Sequence, residues 1–288
     1  MHLPSLFQAF VRERRYLSNV TPKTIVWHES AWGLFGKHLP ADLDASELTG
    51  AHLKTATMAL ASGQRSAITV NSYARSLNAF LGWAHTEGHL TKRLRIGKLK
   101  EPQVIIATLR PAEVQAVIKW NPKRREYKRL QVLLLLILDC GLRLNEALML
   151  ERSAVDWDMG GLKVYGKGRK ERIVPISQPM KRRLWQWLKT HEDAYVFPNR
   201  TGGPLSQTYV HHAMARTRDL IGIPTATRFY AHGLRHSFAT AYLRAGGNVV
   251  VLQRILGHAD LQTTMRYVHL QTADLTAVHD RYSPLTQR

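Results

Sequence analysis

The chain has 288 residues, 44% of them hydrophobic, enough for one large or two modest folded domains and too apolar for a disordered chain. Lysine and arginine number 41 against 21 aspartate and glutamate, a formal +20 that points to a polyanion, most often nucleic acid, though a ribosomal or merely basic protein would show it too. The single cysteine, Cys140, excludes an internal disulfide and a cysteine-based zinc site, and the longest strongly apolar run, Val132 to Leu138, is too short to cross a bilayer.

The amino terminus carries Pro4, Gln8, Arg12, Arg14 and Arg15 without a long apolar core or a small-residue cleavage site, so secretion is not expected and a reducing cytoplasm is. The first third reads as helices. Thr21 and Pro22 open one as N-cap and first position, followed by Ile25, Trp27, Ala31, Leu34 and Phe35 at roughly helical spacing. Ser46-Glu47-Leu48 starts another that runs to about Leu60. Thr69 begins the clearest, with Tyr73, Leu77, Phe80, Leu81 and Ala84 as its apolar stripe and Gly88 as its stop. From Thr91 to Gln103 the pattern lapses into Lys92, Arg93, Arg95, Lys98 and Lys100 before Pro102, which reads as an interdomain linker, either solvated or lying along a phosphate backbone.

After Leu109-Arg110-Pro111 the elements mix. Pro111 to Lys119 and Glu126 to Cys140 read as helices. Leu162–Tyr165 and Arg172–Ile176 read as a hairpin around Gly166-Lys167-Gly168-Arg169-Lys170, and Tyr195-Val196-Phe197 as a third short strand. Helices return from Ser206, broken at Gly222-Ile223-Pro224, Gly246-Gly247 and Gly257.

Three distant segments suggest one anionic pocket. In Cys140-Gly141-Leu142-Arg143-Leu144-Asn145-Glu146 a buried helix ends at Gly141 and Asn145 is the expected N-cap of the next, leaving Arg143 in the turn. In His232-Gly233-Leu234-Arg235-His236 a helix start puts residues 232 and 235 on one face, near free N–H groups that favour phosphate. In Leu256-Gly257-His258, followed by Thr263-Thr264-Met265-Arg266-Tyr267-Val268-His269, Asp260 can cap the short helix that displays Tyr267.

Gly-Leu-Arg-x-x-Glu, His-x-Leu-Arg-His and Leu-Gly-His with Tyr267 downstream resemble, in order and separation, the signature of the phage-integrase or tyrosine recombinase family. The resemblance runs through most of residues 109–270, and the helical first third is similar to the family's core-binding domain. It departs at Cys140, where the family often has threonine.

The resemblance implies a site-specific recombinase that cuts and rejoins DNA through a 3′-phosphotyrosine, without metal, cofactor or ATP. Its transition state is a pentacoordinate phosphorus with extra negative charge. Arg143 and Arg235, as planar always-charged forks, suit the non-bridging oxygens. Tyr267 matches the nucleophile, and Lys167 the hairpin lysine that protonates the departing 5′-oxygen, with Lys163 and Lys170 as possible substitutes. His232 and His258 would bind the phosphate or move protons. Glu146 would orient the cations, and His236 would be a structural hydrogen-bonding residue. Basic clusters from Lys119 to Arg129 and from Lys163 to Arg172 would touch phosphates, with Lys92, Arg93, Lys123, Arg124, Arg125, Arg169 and Lys170 as contacts.

The resemblance further implies a mainly α fold with a small antiparallel β-sheet, arranged as a two-domain C-clamp. A helical, SAM-like core-binding domain (1–97), a linker (98–108) and a catalytic domain with a C-terminal tail (109–288) are expected. So are a homotetramer on double-stranded DNA, compatible with a monomer in solution, and short inverted-repeat core sites of the Xer or mobile-element kind, because the pattern leaves no room for an arm-binding domain. A type IB topoisomerase sharing the pocket, and a catalytically silent DNA-binding regulator, are the competing readings.

Overall fold

The computed structural model describes residues 1–102, 107–166 and 171–268. It divides into two compact units, Met1–Val104 and Ile105–Arg288.

The first unit is helical: α1 (Leu3–Tyr16), α2 (Pro22–Phe35), α3 (Gly50–Ser62) and α4 (Ala67–Thr86). α2 opens as expected, with Thr21 Oγ1 accepting from Thr24 N at 3.3 Å and Pro22 in the first turn, where a missing N–H costs nothing. The helix expected from Ser46 is split. Asp44 caps a 3-10 turn over Ala45–Glu47, Leu48 is extended, and Thr49 caps a fresh start at Gly50. α4 begins two residues before Thr69 because Ser66 supplies the cap, and Thr69 N is the group it receives. α1 was not foreseen, although Leu3, Leu6, Phe7, Phe10 and Val11 follow helical spacing and all are buried. Phe7 stacks on Trp32 with centroids 4.7 Å apart and meets Phe80 edge-on at 5.4 Å, so this core is aromatic.

The stretch read as a linker is in part moored to α4. Asn78 accepts from Ile96 N at 2.8 Å and donates to Ile96 O at 3.0 Å. Asn71 accepts from Leu99 N at 2.8 Å and donates to Leu99 O and Glu101 at 2.9 and 2.8 Å. Two side-chain amides thus satisfy backbone that has no ladder of its own. Lys92, Arg93, Arg95, Lys98 and Lys100 remain exposed.

The second unit comprises α5 (Pro111–Lys119), α6 (Arg125–Cys140), α7 (Leu144–Leu148), β1 (Val155–Asp156), β2 (Gly161–Tyr165), β3 (Glu171–Pro175), α8 (Gln178–Leu188), α9 (Gln207–Leu220), α10 (Ala231–Arg244), α11 (Val249–Leu256) and α12 (Leu261–Val268). The fold is therefore mainly α with one small antiparallel sheet, ordered β1-β2-β3. α6 is the central rod; Leu130, Leu133, Leu134, Leu136, Ile137 and Cys140 are buried, and it packs against α8 and α10. The third strand is β1, not Tyr195–Phe197. Val196 and Phe197 are both buried rather than alternating, and Tyr195 makes only an isolated bridge to Glu151. The Val196 carbonyl instead accepts from Trp187 Nε1 at 2.7 Å, on α8, a helix the sequence reading left out.

The β2–β3 register pairs Leu162 with Val174 and Val164 with Arg172. Paired residues share a face, so Arg172 points inward with three core side chains, while Lys163, Tyr165, Glu171 and Ile173 face outward. The hairpin turn at 167–170 and the tail from 269 lie outside the described residues. Among the described residues no helix is long and apolar enough to cross a membrane.

Candidate active site

α6 ends where Gly141 takes φ +63 and its N–H returns to Ile137 O at 2.9 Å. A Cβ there would lie 2.4 Å from Phe238 Cδ1, so only glycine allows the turn and the packing together. The chain then buries Leu142 and presents Arg143. α7 starts at Leu144 with Arg143, not Asn145, at the cap position, because Glu146 Oε2 takes the Arg143 N–H at 2.9 Å. Asn145 instead accepts from Gln207 at 3.2 Å.

Arg235, in the second turn of α10, is 1% exposed. Its Nη1 donates to Gly141 O at 2.7 Å, and its Nη2 to Leu256 O at 2.8 Å and to His258 Nε2 at 2.9 Å. Both carbonyls terminate helices, where the backbone is negative, which favours a buried guanidinium. Among the described residues Arg235 Nε is buried without a partner. Burial, and then the charge of Arg143, lower the Arg235 pKa to about 10, so it stays cationic at neutral pH.

Glu146 is the hub. Its Oε1 accepts from Arg143 Nη1 at 2.7 Å and Arg172 Nη1 at 3.0 Å; its Oε2 accepts from Arg172 Nη2 at 2.8 Å and lies 3.9 Å from Arg235. Burial raises its pKa, but hydrogen bonds from Arg172 and the Arg143 N–H outweigh that and hold it below the usual carboxylate value. One carboxylate among three guanidiniums leaves a formal surplus of two positive charges.

The histidines stay neutral. His258 accepts from Arg235 at Nε2, so the other ring nitrogen carries the hydrogen and donates to Thr264 Oγ1 at 2.9 Å. Its pKa falls to about 4, through burial and then Arg235. His236 falls to about 4 through burial and then His232, whose ring sits 4.6 Å away. His232 is lowered by burial, then Arg235 and Arg143.

Asp260 caps α12 through Gln262 N at 2.9 Å, as expected, and α12 delivers Tyr267 into this group. The phenol oxygen lies 2.8 Å from His236 Nδ1, and its ring parallels that of His258 at 6.5 Å. Burial raises the phenol pKa against the opposing pull of Arg235, Arg266 and Arg143. His236 thus hydrogen-bonds the very group expected to react.

The structure brings together Arg143, Glu146, His232, Arg235, His236, His258 and Tyr267. Lys167, Arg169 and Lys170 lie outside the described residues. Lys163, the alternative acid, is on the outer sheet face, paired with Glu171 at 3.2 Å, away from the inward Arg172. Lys123, Arg124 and Arg125 are exposed at the start of α6, where a helix is already positive, an arrangement that suits an anion.

Two members of the basic clusters are not surface contacts. Arg129 donates to Pro198 O and to Tyr209 Oη at 3.3 Å. Arg172 grips Glu146 and donates from Nε to Ile255 O at 3.0 Å. The signal for Arg172 was alternation: residues 172, 174 and 176 share the face that carries the core.

A model described as the phage integrase family matches residues 107–274. The chain belongs to that family. Its relatives include the tyrosine recombinase XerC of Xylella fastidiosa strain 9a5c, 31% identical over 238 residues, covering 80% of each chain. XerC of Methylobacterium sp. strain 4-46 is 33% identical over 230 residues, covering 74% of this chain and 70% of the relative. As a tyrosine recombinase, the chain is a DNA strand-cleaving and rejoining enzyme of site-specific recombination.

Solved structures share the fold. The Tn1549 transposon integrase with circular intermediate DNA has a TM-score of 0.79 at 19% identity, covering 97% of this chain and 99% of that one. XerH recombinase bound to difH has a TM-score of 0.71 at 22% identity, covering 96% and 83%.

Proposed function

We propose that Tyr267 is the nucleophile of this recombinase and that Arg143 and Arg235 bind the scissile phosphate. The observation that carries this is the convergence of both guanidiniums on buried Glu146, with the Tyr267 hydroxyl held beside them by His236. A phosphodiester entering the pocket meets two surplus positive charges, with Arg143 the guanidinium open to solvent. As the Tyr267 oxygen bonds to phosphorus, the bond to the 5′-oxygen breaks and the phenolic proton leaves through the neutral histidines. Lys167 supplies the proton that the 5′-oxygen needs. The result is a 3′-phosphotyrosyl link and a free 5′-hydroxyl, which conserves the bond energy for rejoining. Neutral His232 serves as a hydrogen-bonding partner to the phosphate rather than as a further charge, while His258, engaged at both ring nitrogens, holds Arg235 in its pose.

The partner is double-stranded DNA. Support comes from the +20 charge, the cationic start of α6, and fold neighbours solved with integrase or recombinase DNA. The first unit acts as the core-binding domain, with Lys92 and Arg93 on phosphates, and the second as the catalytic domain. Four copies assemble on two duplexes in the cytoplasm, each duplex carrying short inverted repeats, to integrate, excise or resolve a DNA element. The similar proteins named are recombinases, which leaves a topoisomerase or a silent regulator without comparable support.

The test is selection of bound sites from random DNA, followed by reaction of a plasmid carrying two such sites. Exchange between sites is expected. Relaxation of a plasmid lacking the sites, without exchange, would move the assignment to a topoisomerase.

A further inference from the structure

We propose that Arg172 is a positioning residue of the reaction, clamping Glu146 so that Arg143 and the turn before His258 keep their poses around the phosphate. This rests on the active-site reading above, but concerns a residue that touches no reacting atom.

All three nitrogens of Arg172 are engaged. Nη1 and Nη2 take the two oxygens of Glu146 at 3.0 and 2.8 Å, and Nε takes Ile255 O at 3.0 Å. Its side chain is 13% exposed, against 36% for Arg143. Arg172 therefore faces the interior, while Arg143 opens to solvent and to a ligand.

The contacts close a ring. Arg172 on β3 holds Glu146 on α7, Glu146 holds Arg143 at 2.7 Å, and Arg143 Nη2 reaches Gly257 O at 3.2 Å. Gly257 sits at φ +63 against the Arg172 guanidinium, where a Cβ would lie 2.9 Å from Cζ. Ile255 and Gly257 thus bracket the end of α11 from which Arg235 takes Leu256 O, and His258 follows directly. One side chain ties the strand after the hairpin turn, the carboxylate hub and the turn before His258.

Chemistry explains why this position needs arginine. A fork can satisfy both carboxylate oxygens and still present Nε to a carbonyl; a lysine ammonium is a point donor and cannot span them. Without the fork, buried Glu146 keeps only its Arg143 bonds and a distant Arg235, and Arg143 loses the fixed anion that aims it. Displacing a phosphate ligand by about 1 Å is enough to cost on the order of 10²-fold in rate.

The test uses the full chain and a nicked duplex bearing a site selected from random DNA, so that cleavage traps the enzyme covalently. Wild type, Arg172→Met and Arg172→Lys are compared for affinity, for single-turnover trapping at saturating DNA, and for pH dependence. Affinity is expected within about threefold of wild type, because Arg172 offers DNA no free donor. Trapping should slow about 10²-fold in Arg172→Met and less in Arg172→Lys, which restores one ionic contact. The acid limb of the rate profile should move to higher pH in Arg172→Met, since Glu146 loses its strongest hydrogen-bonding partner. Glu146→Gln combined with Arg172→Met should be little slower than the slower single variant.

A purely structural role would lower thermal stability but leave the profile in place and the rate per folded molecule unchanged; that result overturns the proposal. So does a loss of affinity that accounts for the whole loss of rate. If Arg172→Met fails to fold, Arg172→Lys and Arg172→Gln carry the same readouts. Wild type that forms no adduct would overturn the active-site reading instead, whereas an adduct-forming wild type beside an unimpaired Arg172→Met would overturn this proposal alone.

Discussion

Replacing Arg235 by lysine keeps the charge and removes the fork, so it isolates what geometry contributes. Arg235 donates to Gly141 O, Leu256 O and His258 Nε2 at 2.7–2.9 Å while retaining an unpartnered Nε. A single ammonium cannot bridge the ends of α6 and α11 and also reach a phosphate, so one buried carbonyl loses its donor. An orphaned buried acceptor costs about 1–3 kcal/mol. At roughly 2–4 °C per kcal/mol for a unit of this size, the melting temperature should fall by about 2–12 °C. The rate should suffer more, because donors aimed at the developing charge are worth about 3–4 kcal/mol, or on the order of 10²–10³-fold. Thermal unfolding, DNA affinity and single-turnover trapping on nicked DNA separate these effects. An Arg235→Lys enzyme that traps DNA within about fivefold of wild type would refute the reasoning, as would a rate loss explained by affinity alone.

Gly141→Ala should destabilise by about 1–3 kcal/mol in urea unfolding, because its Cβ would meet Phe238 at 2.4 Å in a left-handed turn; an unchanged midpoint would contradict this. His236 and His258 are held neutral with pKa values of about 4, below the unfolded value of 6.5, so stability is fully present above 6.5 and is lost as pH falls towards 4. The slope is at most about 1.4 kcal/mol per pH unit for each histidine, and a urea midpoint constant from pH 7 to pH 5 would argue against their burial. Alanine at any one of Lys123, Arg124 or Arg125 should weaken binding to all sequences alike and reduce the salt slope by about 1; a changed sequence preference would assign that residue to base reading.

What was legible in the sequence follows from how strongly chemistry constrains each position. Arg143, Arg235, His258 and Tyr267 stand out because charge stabilisation and nucleophilic attack each demand a residue type at a fixed place, and helix-end glycines mark where the chain turns to present them. α2 and the two longest helices of the first unit and centre of the second were visible through caps and apolar stripes. α1 carries the same stripe, but no side-chain cap marks its start. α8 starts at Gln178 with Ser177 as its N-cap and Pro179 in the first turn, a start signal set among the basic residues Lys181, Arg182 and Arg183. Arg172 was hidden in a run of cations: composition cannot tell an inward arginine from an outward lysine, and the alternation of 172, 174 and 176, with Val164 paired to Arg172, is what separates them. The identity of the hydrogen-bonding partner of His236, the Tyr267 hydroxyl, was not legible because the two are distant in the chain. Mooring of residues 96–101 by Asn71 and Asn78 was equally invisible, since it needs two side chains aligned along α4.

The most direct measurement is the identity of the covalent bond. A nicked duplex carrying a selected site should capture the protein through a 3′-phosphate, proteolysis and mass spectrometry should place the nucleotide on Tyr267, and Tyr267→Phe should bind the same DNA without being captured. An adduct on another tyrosine, a 5′-linkage, or capture that survives Tyr267→Phe would contradict the account.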